Sequence, residues 1–165
     1  MIERSEPALI DRLDPAEWAI VWGARSWVAD RQGSPSSCRA FSWTETFELN
    51  GVKDAALSLT ALCVLLDHAA RRPIDVGCPE CGRVSEDEAV LLAAVAQAQA
   101  GRIAAARAAL ATLLPPAGVR FGIGMVSGLA AAFARVGWRL DRADRAGGIA
   151  TGESDGVCPS IARVQ

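Results

Sequence analysis

Two cysteines separated by two residues, Cys78 and Cys81, lie in the stretch RRPIDVGCPECGRVSEDEAVLL (71–92) and are the side chains of this chain best suited to chemistry. Such a pair supplies half of a four-ligand metal site, or a complete dithiol redox pair. In a tight CPECG turn, Pro79 fixes one torsion and Gly82 is placed to take a positive one. Backbone amides turned toward the sulfurs would favour thiolate over thiol, as zinc requires.

A structural zinc site needs four donors, and no second CxxC follows. His68 ends the preceding helix ten residues before Cys78 and can fold back beside the turn, while Cys38 sits in a loop with reach. The expected metal set is therefore Cys78, Cys81, His68 and Cys38, with zinc as the metal and another subunit as an alternative source of the fourth ligand. Cys63, in an apolar run, reads as a small buried hydrophobe. Cys158 could take part only if the C-terminal tail docked.

Two other readings stand beside zinc: plain thiols in a connecting turn, and a redox protein or sensor using the CxxC pair. A thioredoxin-type CxxC opens a helix straight after a strand, whereas here the helix cap at Ser85 lies four residues beyond Cys81. Five cysteines is an odd number, and the charged opening MIERSEPALIDRLD has no apolar core of signal-peptide length. The expectation is a cytoplasmic protein with reduced or metal-bound thiols.

The elements that position the turn are helical. DPAEWAIVWGARSWVAD (14–30) begins with Asp14 as cap, Pro15 in the first turn and Glu17 facing the free amides. Trp18, Val21, Trp22, Arg25 and Val28 fall on one side, which predicts a core-facing stripe. AFSWTETFELNG (40–51) keeps strand parity, yet the Ser42/Glu45 capping-box spacing favours a short helix. The run 52–72 is apolar nearly all round until Asp67, so it should be the central helix, ended by Arg71, Arg72 and Pro73. Ser85 and Glu88 form a capping box for 86–100, Gly101 closes that helix, and 103–114 returns as its partner until Pro115-Pro116. A last helix is expected over 120–138, with Gly124 and Gly128 packing closely against a neighbour. The apolar runs 55–66 and 121–134 fall short of the roughly 18 residues a membrane span needs.

The whole reads as an all-α single domain over residues 1–140: a compact bundle of five or six helices with a flexible tail, 141–165. Net charge is −2 with a pI near 5.4, and 16 Arg stand against one Lys, so a nucleic-acid footprint is not expected. No phosphate loop, dinucleotide fingerprint or nucleophile elbow appears. The acids of SEDE (85–88) are explained by capping.

With an Arg-ended helix, a cysteine-bearing turn, and then an Arg, a cap and an acidic first turn, residues 52–115 resemble an uncharacterised family of small helical alphaproteobacterial proteins. Arg72, Cys78, Cys81, Arg83, Ser85, Asp87 and Glu88 are the matching positions. The resemblance implies fold and compartment and carries no known activity. The function expected is non-catalytic and regulatory, through a protein partner or a second copy of the chain, with no nucleic acid and no membrane.

Overall fold

The computed structural model describes residues 9–33 and 42–140, and within them the fold is all-α. A short 3-10 turn, Ile10–Arg12, precedes six α-helices: α1 Pro15–Arg31, α2 Trp43–Leu49, α3 Lys53–Ala69, α4 Glu86–Gln99, α5 Ile103–Leu113 and α6 Pro116–Arg135. Among the described residues the only β pairing is an isolated antiparallel bridge between Leu9 and Arg83.

Local chemistry explains most of these boundaries. Three helices start on complete capping boxes: Asp14 with Glu17, Ser42 with Glu45, and Ser85 with Glu88. Each satisfies amides that the first helical turn leaves without intrahelical partners. The two hydrogen bonds from Ser42 to Glu45 also hold the Glu45 carboxyl below its ordinary pKa. Trp43–Leu49 is thus a helix, and the strand-like parity of its residues is incidental. Gly101, at φ 76°, takes the left-handed conformation that joins α4 to α5.

Three boundaries lie three or more residues from the sequence expectation, one of them the end of the last helix, at Arg135 instead of 138. The central helix stops at Ala69, because Ala70 is extended and Arg71 is already drawn away, its amide donating to Leu113 O at 2.9 Å. The last helix starts at Pro116 rather than 120, since proline is well suited to a first-turn position whose amide has no helical partner. That start lengthens α6 to 20 residues with a mean hydropathy of 1.5 in its most apolar window, enough by length and composition to cross a membrane. In this fold α6 packs against α3, α4 and α5, and the α3–α6 and α4–α5 pairs are the most extensive.

The core is built from small and branched residues. Leu59, Leu62, Leu91, Leu92, Leu110 and Phe133 are fully buried. Close approach of α3 and α6 occurs at Gly128, where a Cβ would stand 2.7 Å from Ser58 Oγ, whereas Gly124 faces open space. Only half of the GxxxG spacing is therefore used for packing. Of the expected α1 stripe, Val21 and Arg25 are buried and Trp22 and Val28 pack partly buried against the core, whereas Trp18 is 38% exposed. Ala16, Ala19, Ile20 and Ala24 form the core side of α1, while Trp18 and Trp22 stack on each other at its rim with ring centroids 5.0 Å apart. Small residues let α1 approach its neighbours, and indole rings would hold it off. The expected tail, 141–165, lies outside the described residues.

Candidate functional site: a guanidinium-clamped disulfide turn

Between α3 and α4 the chain runs extended from Pro73 and turns back at Cys78–Cys81. Asp75 and Ser85 frame this loop, with Ser85 Oγ donating to Asp75 O at 2.5 Å. Pro79 occupies the second position of a β-turn closed by Cys81 N–H donating to Cys78 O at 3.0 Å. The side chains of Cys78 and Cys81 pair as a disulfide, with their Cα atoms 5.3 Å apart, inside the range that such a bridge spans. Both residues are half-buried, so solutes can reach them. Gly82 does not adopt the positive φ expected of a zinc knuckle. Its carbonyl instead accepts Ile10 N–H at 2.9 Å, tying the loop to the N-terminal segment.

The turn rests on Arg25, which is only 1% exposed in the middle of α1. Arg25 Nε and Nη2 donate to the two oxygens of Glu88 at 2.6 and 2.8 Å. Nη1 donates to Cys78 O at 3.1 Å and Cys81 O at 2.5 Å, and Nη2 to Arg83 O at 2.6 Å. A guanidinium has five N–H donors, and here each has an acceptor. Glu88 is equally engaged: it accepts from Ser85 N and Gly77 N, besides Arg25, and it caps α4. A buried ion pair is tolerable when both charges are fully hydrogen-bonded, as these are.

A second bidentate pair lies one residue earlier on α4. Asp87 accepts from Arg72 Nη1 and Nη2 at 2.8 and 2.7 Å and from Asp75 N at 2.7 Å. Those bonds hold the Arg72 guanidinium even more firmly protonated than usual. Asp87 and Glu88 thus do more than cap: together they suspend the whole 72–83 loop from the start of α4. Gly77 is required by the crowding, because a Cβ there would stand 2.8 Å from Arg25 Nη2.

Of the four expected metal ligands, the structure describes Cys78, Cys81 and His68. Cys78 and Cys81 meet each other, but among the described residues no three His, Cys, Asp or Glu side chains converge as a metal would require. His68 is exposed at the end of α3, its Nδ1 2.9 Å from Val64 O and 3.6 Å from Asp67, which suits a helix C-terminus. Cys38 and Cys158 lie outside the described residues. Reasoning from sequence did not find Arg25 as a site residue. The available signal was a lone arginine inside an otherwise apolar α1 stripe, which demands a buried acceptor.

Cys63 is buried on α3, and burial, with Asp67 adding a smaller repulsion, pushes its thiol up to about 12. The ionised form is the nucleophile, so native protein at pH 8 is expected to leave Cys63 unmodified by iodoacetamide, and unfolded protein to modify it. Peptide mapping after labelling checks this. Because the folded value lies above the unfolded one, Cys63 supports the fold at neutral pH, and that support is lost as pH rises from about 8.5 toward 12.

The chain matches no known protein family, no curated protein and no solved structure. Among the described residues, the fold and site are those of an all-α protein whose interhelical disulfide turn is clamped by a buried arginine.

Proposed function

We propose that this is a non-catalytic, regulatory cytoplasmic protein in which the Cys78–Cys81 pair acts as a thiol–disulfide switch. One observation carries the reading: both cysteine carbonyls are held by the same guanidinium nitrogen, Arg25 Nη1. A turn fixed in this way keeps the two sulfurs near each other in the reduced state, which favours reclosure over reaction with other thiols. Reduction by a dithiol breaks the S–S bond, takes up two electrons and two protons, and leaves the reductant as a disulfide. Oxidation reverses the step. The loop is anchored to α1 and α4 on one side and meets the solvent at Glu80 and Arg83, so a change in sulfur state is presented at the surface. That surface is where a protein partner would read it.

A zinc centre on Cys78, Cys81, His68 and Cys38 is the rival reading: the described residues hold no cluster of three such ligands, and Cys38 lies outside them. The deciding experiment equilibrates purified protein in dithiothreitol buffers of graded potential, quenches with a maleimide, and counts the labelled thiols by mass. A reversible two-electron transition at Cys78 and Cys81 is expected, with amide exchange over 77–84 differing between end states and the helices retained. Protein isolated without chelator that carries about one zinc per chain, lost when both cysteines are replaced by serine, would overturn the switch in favour of the metal site. A pair that fails to reoxidise would also defeat it.

A further inference from the structure

On the other side of the 72–76 segment lies a cavity of about 350 Å³, bounded by the C-terminal halves of α1 and α3 and by α4. Its volume falls within the range of small-molecule sites. The floor is apolar, formed by residues such as Val28, Leu66, Ile74 and Leu91, and Cys63 contributes a thiol that stays neutral at physiological pH. The polar groups are lopsided in charge: Arg31, Arg71 and Arg72 line the cavity against the single carboxylate of Asp67.

Among the described residues, the pairings leave the Arg71 cation without a carboxylate partner. Asp67 is engaged by Arg31 at 3.0 Å, and Arg31 also lies over the Trp27 ring, 5.0 Å from its centroid. Arg72 is held by Asp87. Arg71 is tethered by Nε to the Leu114 carbonyl at 3.1 Å, a neutral acceptor that fixes the side chain without cancelling its charge. An apolar chamber with an aromatic wall and one anchored, unneutralised guanidinium matches an anion with a flat or branched apolar body.

We infer that this cavity binds a small organic monoanion, with its apolar body among Trp27, Leu66 and Ile74 and its anionic group on Arg71. This does not rest on the switch proposed above. The test is calorimetric titration of the whole protein with 2-naphthoate and with its neutral counterpart 2-naphthamide, at about physiological ionic strength. Naphthoate should bind at least tenfold more tightly. Arg71→Gln, at an exposed position whose backbone bond to Leu113 persists, should weaken naphthoate about tenfold and leave naphthamide unchanged, the loss expected for one charge-assisted hydrogen bond. Ala70→Leu, which fills the cavity from α3's end, should remove binding of both. No naphthoate binding at millimolar concentration, equal binding of acid and amide, or a preference that survives Arg71→Gln would each overturn the inference. Thermal melts of both variants verify that the fold is retained, and Arg71→Lys supplies a second variant that should keep part of the preference.

Discussion

Replacing Arg25 by methionine is expected to destabilise the protein by about 3–5 kcal/mol, the typical cost of removing one partner of a buried ion pair. Methionine fills much of the space but offers no donors. Glu88 would stay buried with its charge unpaired by Arg25, and the carbonyls of Cys78, Cys81 and Arg83 would lose their guanidinium bonds. For a chain of this size the thermal midpoint should fall by roughly 10 °C or more. Arg25→Lys should recover little, since one ammonium cannot reproduce a planar five-donor fork. Combining Arg25→Met with Glu88→Gln should be less damaging than Arg25→Met alone, because the amide keeps the acceptor that caps α4 and removes the stranded charge. Denaturant melts of the four proteins form the check. A loss below about 1 kcal/mol for Arg25→Met would mean that the turn is held by something other than this clamp.

The second large effect concerns α6. Phe133 is 0% exposed and sits between Phe47 of α2 and Trp138, with ring centroids 6.4 and 5.7 Å away. Phe133→Ala should cost about 3–5 kcal/mol, combining lost burial with the cavity left behind. Phe121, on the same helix but 69% exposed, provides the internal control. Phe121→Ala should change stability by no more than about 0.5 kcal/mol. Equal effects from the two substitutions would show that α6 does not pack through this face.

Much of the fold was legible in the sequence because its signals are local. The capping boxes at Asp14, Ser42 and Ser85 each involve residues three apart, and each was found where the residue types placed it. Gly101 and the prolines mark boundaries for equally local reasons of backbone sterics. Where a boundary was misplaced, as at Arg71 and Arg72, the cause is a contact far along the chain: Arg71 bonds to Leu113 and Leu114, and Arg72 to Asp87.

The sequence by itself determined that the described chain is all-α, where the capped helices α1, α2 and α4 begin, and that Cys78 and Cys81 share one tight turn. It left open what that turn holds. Only the tertiary structure decided that the two sulfurs pair with each other, that His68 remains a helix-end residue, and that Arg25 crosses 63 positions in sequence to meet Glu88. The physical reason is reach. A cap or turn is settled by backbone geometry within a few residues, whereas the partner of a buried guanidinium is fixed only when α1 and α4 pack and bring five acceptors around it. Periodicity can show that such an arginine faces inward, but it carries no information about which carboxylate waits there.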